Sequence, residues 1–294
     1  MKEHAICFQC EGVPLLGIVH EPEISVNVGM IIVVAGGPQY RVGVNRQFVM
    51  LARMLADRGI PVLRFDHRGT GDSGGECGGF LNMSADIESA VSELKTRFPQ
   101  LDKIALWGEC ESASAIAFYA HTDPRVCGLF LVNPWIRTEG GEARTYLKHY
   151  YLSRLFDKEL WGKIASGKFS FVQSFKSFLQ LIHMAKKDAG SAEIDKDSVD
   201  LAQLPLPVRL EKSVGLYDGE MFIITSGRDF IAQEFNDYVA SSKEWKSLSE
   251  SERMQICNMP DADHTFSRLE WREELFDHTR EWIEKSFITS RIDQ

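Results

Sequence analysis

Short apolar runs rich in β-branched residues recur along the chain, and helical patterns separate most of them from residue 30 onward. Two of them, 30–35 and 221–225, are apolar on both faces, which is typical of parallel strands covered by helices on each side. Two further strands precede the first strand–helix unit, so we expect an antiparallel entry into a mostly parallel α/β sheet. The predicted strands lie at residues 5–10, 15–20, 30–35, 60–65, 103–107, 127–132, 221–225 and 254–258.

Helical periodicity is clear in two segments, 47–57 and 84–98, each of which repeats apolar residues along one face. Gly59 follows the first segment closely and provides a stop signal. Both helices are therefore predicted to cover a face of the sheet.

The strand rhythm stops between residues 136 and 216, where a helical pattern rich in aromatic residues appears. This segment carries 13 Lys and Arg against 10 Asp and Glu, although the whole chain has a net charge of -9. We predict a helical cap insertion over 136–216, within a core domain formed by 1–135 and 217–294. A basic, aromatic cap suits an anionic or amphipathic substrate. Alternatively, its aromatic residues form a small core of their own and its lysines are solvated.

The composition of the 294 residues, 44% hydrophobic and 26% charged, is that of a globular protein. The acidic balance disfavours a nucleic-acid partner. We find no secretory signal and no apolar run that approaches the roughly 18 residues of a membrane span. The sequence therefore predicts a soluble, cytoplasmic protein without a membrane span. Six scattered cysteines do not make a disulfide framework, so reduced thiols are expected. The oligomeric state stays open.

A C-x-x-C pattern at Cys7 and Cys10 is the one hint of a metal or redox site. No second Cys or His pair lies at zinc-site spacing, and residues three apart in a strand point to opposite faces. The sequence therefore predicts no metal site and no cofactor.

An apolar strand runs directly into a small-residue helix around Cys110. The turn between them reads Gly108-Glu109-Cys110-Glu111-Ser112, where hydrolases carry the nucleophile in G-x-S-x-G. Such a sharp turn requires little bulk two residues before and after its apex, and Gly108 and the small Ser112 fit. Cys110 is therefore the predicted nucleophile, with a thiolate favoured at the helix N-terminus. Glu109 and Glu111 oppose that effect if they are ionised and close.

The carboxylate and the histidine that complete such a site should follow the nucleophile in that order. Asp229 and His264 do so, and each follows an apolar strand, at the sheet edge where open α/β sheets gather their sites. Asp261 and Asp263 compete with Asp229, but both lie so near His264 in sequence that reaching its ring from the opposite side is awkward. Asp229 is preferred.

An oxyanion hole needs one N–H from the residue after the nucleophile, here Glu111, and one from the turn after an early strand. In the turn that follows 30–34, Gly37 is the better donor, with Gln39 in reserve, because Pro38 has no N–H. The end of this turn is predicted to contact the substrate through Gln39, Tyr40 and Arg41.

A second G-x-S-x-G match covers residues 71–75 and contains Ser73. It begins five residues beyond its strand and does not lead into an apolar helix. We interpret it as a structured loop that flanks the site.

Together these segments resemble the α/β-hydrolase superfamily over nearly the whole chain, and within it the exosortase A system-associated hydrolases of type 1. The resemblance implies a bacterial cytoplasmic protein encoded beside exopolysaccharide and protein-sorting genes, with hydrolase activity on an unestablished substrate. Cys-His-Asp hydrolases such as dienelactone hydrolase are similar in mechanism. The resemblance is carried by AGGPQYRVG (35–43), PVLRFDHRGTGDSGG (61–75), GECESASA (108–115), SGRDF (226–230) and DADHTF (261–266).

The chain is thus expected to have an α/β-hydrolase fold and to hydrolyse an ester or thioester of a small-molecule acyl substrate through a thioester acyl-enzyme. Two alternatives stay open. An acyltransferase would pass the acyl group to an amine or sugar, and a non-catalytic interaction protein would not need Cys110.

Overall fold

The computed structural model of the protein describes residues 1–34, 40–137 and 200–288. Within these ranges one sheet has the strand order β1-β2-β4-β3-β5-β6-β7-β8. The pairs β1–β2 and β2–β4 are antiparallel and the others are parallel, as the sequence predicts. The strands are β1 (Lys2–Cys10), β2 (Val13–Glu21), β3 (Val28–Val33), β4 (Val62–Phe65), β5 (Lys103–Glu109), β6 (Val126–Val132), β7 (Glu220–Ser226) and β8 (Met254–Met259).

The helices lie on both faces of this sheet, and the two that the sequence predicts most clearly are confirmed. Short 3₁₀ segments cover Val44–Arg46, Phe80–Asn82 and Leu201–Gln203, and a π-helical turn covers Glu284–Ile288. The α-helices of the described ranges are α1 (Gln47–Asp57), α2 (Ser84–Arg97), α3 (Glu111–Ala120), α4 (Leu206–Leu216), α5 (Phe230–Ser241), α6 (Lys243–Ser249) and α7 (Leu269–Ile283).

Two hydrophobic cores lie on opposite faces of the sheet. One packs α2 to α6 against it and includes Ile116 and Trp245, and the other packs α1 and α7 and includes Phe48 and Trp282. Every residue of β3 is buried, which explains a run that is apolar on both faces. The core is therefore built around the parallel strands that lead to the candidate site.

Most of the predicted cap, residues 138–199, lies outside the described residues, so the division into core and cap stays a prediction. The described end of that segment contains α4. Leu210 and Val214 of α4 are fully buried in the same hydrophobic core as α3. This part of the insertion therefore packs against the sheet domain.

The loop after β4 is structured, as predicted from residues 71–75. Ser73 Oγ donates to the Asp66 carbonyl at 2.6 Å and accepts the Leu16 N–H at 2.8 Å. The buried Asp66 carboxylate accepts the N–H groups of Arg41 at 2.7 Å and Asp72 at 3.0 Å, and it pairs with the Arg41 guanidinium. Both Ser73 contacts hold the loop together, so Ser73 is fixed as a structural residue.

The cysteine pair in β1 behaves as its spacing predicts. Cys7 is exposed and Cys10 is buried, and all six cysteines are free. Separately, none of the helices in the described ranges is long and apolar enough to cross a membrane.

We predict that Gly71→Ala destabilises the fold more than Gly12→Ala. Both glycines have positive φ, +53° and +81°, but a Cβ at Gly71 would overlap the Asp66 carboxylate, whereas nothing lies within 4 Å of one at Gly12. Left-handed strain alone costs about 1–2 kcal/mol. Displacing Asp66 from its donors should add about 1–3 kcal/mol more for G71A. Urea denaturation measures both losses, and equal losses would contradict the role given to Asp66.

Candidate functional site

The turn between β5 and α3 holds Cys110 in a strained conformation. Cys110 has φ 62° and ψ -123°, a region that residues with a side chain rarely adopt. A Cβ on Gly108 would lie 2.7 Å from the carbonyl group of Ser112, so only glycine fits there. The predicted sharp strand-to-helix turn is therefore present, with the half-exposed Cys110 at its apex.

Ser112 stabilises this turn through its hydroxyl. Its Oγ donates to the carbonyl of Glu109 at 2.8 Å and accepts the N–H of the same residue at 2.9 Å. The side chain is buried and spans the turn from its helical side. A serine at this position thus supplies two hydrogen bonds that a second glycine lacks.

The loops after β7 and β8 bring Asp229 and His264 together. Asp229 Oδ2 lies 2.6 Å from His264 Nδ1, and Cys110 is close enough to the imidazole ring to raise the pKa of His264. Because Nδ1 faces the carboxylate, Nε2 is the ring nitrogen left for the thiol. The structure places the competing carboxylates elsewhere: Asp261 pairs with Arg228, and Asp263 accepts from the Ser267 N–H and hydroxyl.

The charge on His264 is stabilised by both neighbours. Burial disfavours the imidazolium, but the hydrogen bonds and charges of Asp229 and Cys110 outweigh it and raise the pKa of His264 to about 10. His264 is therefore protonated at neutral pH, with its imidazolium held by Asp229.

Asp229 also caps α5, a second role that the sequence analysis did not identify. Its Oδ1 accepts the Ile231 N–H at 3.0 Å, and its Oδ2 accepts the Ala232 N–H at 3.3 Å. These two N–H groups have no acceptor within the helix, so the cap satisfies them and fixes the carboxylate. The helix end thus orients the group that orients His264.

Asn133, the first residue after β6, links three of the elements around the site. Its Nδ2 donates to Ser226 Oγ at 2.9 Å and to the carbonyl of His264 at 3.2 Å, and its Oδ1 accepts the Ser226 N–H at 2.8 Å. It is fully buried and has φ 48°, a conformation that asparagine tolerates better than most residues. An asparagine at the carboxyl end of a strand was the only sequence signal for this role.

The two glutamates beside Cys110 are less able to oppose a thiolate than their sequence positions suggest. Burial raises the pKa of Glu111 and raises the pKa of Glu109 to about 7. Gln47, the first residue of α1, donates to Glu109 Oε2 at 2.6 Å. Sequence reasoning missed this contact, because the partners are 62 positions apart and lie on different elements.

The predicted oxyanion and substrate contacts are described only in part. Glu111 begins α3, where its N–H has no acceptor within the helix and is free to bind an oxyanion. Gly37 and Gln39 lie outside the described residues. Tyr40 is exposed, whereas both ends of the Arg41 guanidinium bind carboxylates, those of Asp66 and Asp72. Arg41 therefore anchors the loop after β4, and its contact with substrate stays a prediction.

A family model described as serine aminopeptidase, S33, matches residues 31–180, about half of the chain, including the turn at Cys110. Solved structures with a similar fold include an esterase from Pyrococcus furiosus (TM-score 0.63, 16% identity, 97% of this chain and 93% of that chain). An α/β-hydrolase from Penicillium sp. has a TM-score of 0.61 and 15% identity over 97% of this chain and 99% of that chain. An α/β serine hydrolase without a lid from Xanthomonas campestris has a TM-score of 0.55 and 17% identity over 96% of this chain and 95% of that chain.

No curated protein sequence matches the chain. The family model, the similar structures and the mostly parallel sheet flanked by helices confirm the predicted α/β-hydrolase fold.

We predict that Asp229→Asn and Asp229→Ala separate the two roles of this side chain. Asn caps helices about as well as Asp, whereas Ala costs roughly 1 kcal/mol, so D229A should be less stable than D229N by that amount at every pH.

Both variants should lower the pKa of His264. The pKa of His264 in the fold is about 10, above the ordinary value of 6.5. The difference in free energy of unfolding between wild type and D229N should therefore be largest below pH 6.5 and disappear as pH rises through 10. Urea denaturation at several pH values tests this, and a gap that does not change with pH would contradict it.

We also predict that Asn133→Gly is destabilising by roughly 2–4 kcal/mol, because three side-chain hydrogen bonds are lost at about 0.5–1.5 kcal/mol each. Asn133→Ala should cost about 1–2 kcal/mol more, since alanine does not tolerate the positive φ. Chemical denaturation of both variants measures the difference. If N133G were as stable as wild type, the amide would not hold the loops together.

Proposed function

Because the chain belongs to the serine aminopeptidase, S33, family of α/β-hydrolases, we propose that it is an acyl hydrolase whose nucleophile is Cys110. In this proposal His264 is the general acid and base, and Asp229 orients it. The chain has cysteine at the turn where the family description names serine chemistry. The substrate we propose is an ester or thioester, and the esterase among the similar structures favours that class.

The observation that carries the proposal is the convergence of three loops on the His264 ring. Cys110 follows β5, Asp229 follows β7 and His264 follows β8; the His264 ring contacts Asp229, and Cys110 acts on its pKa. The thiol lies on a strained backbone at the N-terminus of α3. The imidazole beside it is held by a 2.6 Å contact with the Asp229 carboxylate. This is the arrangement that activates a cysteine nucleophile.

In the acylation step, the Cys110 thiolate attacks the carbonyl carbon and a C–S bond forms, while the carbonyl electrons move to oxygen. The proposed donors to that oxyanion are the Glu111 N–H and the Gly37 N–H. When the intermediate collapses, the bond to the leaving oxygen or sulfur breaks, and the leaving group takes the proton from His264. A thioester acyl-enzyme and a neutral imidazole remain.

In the deacylation step, neutral His264 takes a proton from water, and the hydroxide oxygen attacks the thioester carbonyl. The C–S bond then breaks and the carboxylic acid leaves. Cys110 is again a thiolate beside the imidazolium, so atoms and charge balance over the cycle. An amine or sugar acceptor in place of water would make the same intermediate an acyltransferase intermediate.

The wider setting is also part of the proposal. The sequence resemblance supports a role beside exopolysaccharide and protein-sorting systems, and six free cysteines fit a reducing compartment such as the cytoplasm. We place substrate selection in the predicted cap, 136–216, because that segment lies in sequence between the strand after the nucleophile helix and the strand before Asp229.

We predict that p-nitrophenyl acetate and an acetyl thioester of N-acetylcysteamine each add one acetyl group to wild type, at Cys110. Competing thiols are disfavoured, because burial raises the pKa of Cys127 to about 12 and also raises the pKa values of Cys10 and Cys257. Intact mass and peptide mapping after rapid acid quench identify the adduct. D229N should slow acetylation by less than the roughly 10⁴-fold seen when a serine triad loses its Asp, because a thiol needs less help from the base.

Cys257→Ala is the matched control, because Cys257 also has an imidazole nearby, with Sγ 3.8 Å from His278 Nε2. C257A should be acetylated like wild type, and Cys110→Ala should not be acetylated. An adduct on the exposed Cys7 or Cys77, or equal labelling of C110A, would overturn the proposal. Adding amine or sugar acceptors to the wild-type reaction then separates hydrolysis from acyl transfer.

A further inference from the structure

The Glu109 carboxyl group is buried directly beside the proposed nucleophile. Glu109 is the last residue of β5, it is 6% exposed, and its backbone is held by Ser112. Its Oε2 accepts the Gln47 amide N–H at 2.6 Å. Its Oε1 is buried without a hydrogen-bond partner in the described residues, and the same is true of Gln47 Oε1.

These two oxygens are both acceptors, so an ionised Glu109 leaves both of them unpaired. A proton on Glu109 changes this, because the carboxyl O–H can then donate to the Gln47 amide oxygen while the amide donates back. The terminal torsions of both side chains are soft, and the 2.6 Å bond already brings the amide and the carboxyl group together. Because leaving a buried polar group unsatisfied costs free energy, the protonated form is favoured.

The charges around Glu109 come from the site itself. Burial raises the pKa of Glu109 to about 7, and Asp229 adds to the rise. The positive His264 and the hydrogen bond from Gln47 act in the opposite direction. Among the described residues, His264 and Asp229 are thus the charged groups that act on Glu109 most, and the titratable Cys110 and Glu111 follow it directly in the chain.

We propose that Glu109 is a positioning residue that works as an uncharged carboxylic acid, paired with Gln47 behind the Cys110–His264 pair. Its effect on catalysis rests on the proposed function. While Glu109 is neutral, Asp229 is the buried carboxylate that holds the His264 proton, and that proton can pass to the leaving group. Once Glu109 ionises, a second negative charge holds the imidazolium more tightly and slows that transfer.

The direct test is carboxyl-carbon NMR of protein labelled with ¹³C-glutamate. The Glu109 signal is the one that disappears from the spectrum of Glu109→Gln. We expect a titration midpoint near 7, against 4.5 for an ordinary glutamate. Gln47→Leu removes both the amide N–H that favours ionisation and the amide oxygen that accepts the carboxyl proton, so it should shift the Glu109 signal and identify it if E109Q does not fold. A midpoint near 4.5 in the folded protein overturns the proposal.

Stability gives a readout that does not depend on activity. The uncharged amide introduced by E109Q imitates the protonated acid, so E109Q and wild type should melt alike near pH 4.5, and wild type should become the less stable as pH rises through 7. The exposed Glu88→Gln serves as control and should show no such divergence. A melting difference between E109Q and wild type that is independent of pH contradicts the proposal.

The same titrations in C110A separate this inference from the proposed function. If the Glu109 midpoint stays raised in C110A, which should no longer form an acyl adduct, Glu109 is a buried neutral acid whether or not Cys110 is the nucleophile. If Cys110 is the nucleophile but Glu109 has no role, kcat/KM of E109Q should follow pH as wild type does. We expect instead that wild type loses activity on the acetyl thioester above pH 7 and that E109Q does not.

Discussion

The site depends on one backbone constraint, the positive φ that lets β5 turn into α3 at Cys110. Such a conformation persists only where the surroundings enforce it. Here Gly108 permits the close approach of strand and helix, the Ser112 hydroxyl bridges it, and buried α3 fixes the helix against the sheet. The strain is thus offset by core packing, and its result is a half-exposed thiol at a helix N-terminus.

The second requirement is that loops from different strands bring their side chains to the correct positions beside this thiol. Parallel strands deliver their carboxyl ends to one edge, but side chains set the final positions. Asn133 connects β6, β7 and the His264 loop, and the cap of α5 holds the Asp229 carboxylate. Asp229 and the His264 loop are therefore held by buried hydrogen bonds, and breaking those bonds would destabilise the fold as well as move the two residues.

Periodicity in the sequence was sufficient for the sheet, for α1 with its bounds at 47 and 57, and for the strand ends that carry Asp229 and His264. These features are local, or follow from the order of elements. The contacts that were missed are tertiary and depend on side-chain direction, as for the Gln47 amide on Glu109 and the three bonds of Asn133. A polar residue inside an apolar pattern indicates that a partner exists, and only the packing of the fold identifies it.

Pairing between Cys110 and His264 is the central physical claim, and titration of the His264 ring by NMR tests it most directly. In wild type the imidazolium should persist far above its ordinary pKa of 6.5, with a midpoint near 10. In C110A, where Asp229 is kept and the thiol is removed, the midpoint should fall clearly below the wild-type value. An identical midpoint in both proteins would show that the thiol does not interact with the ring, and the account of the site would be wrong.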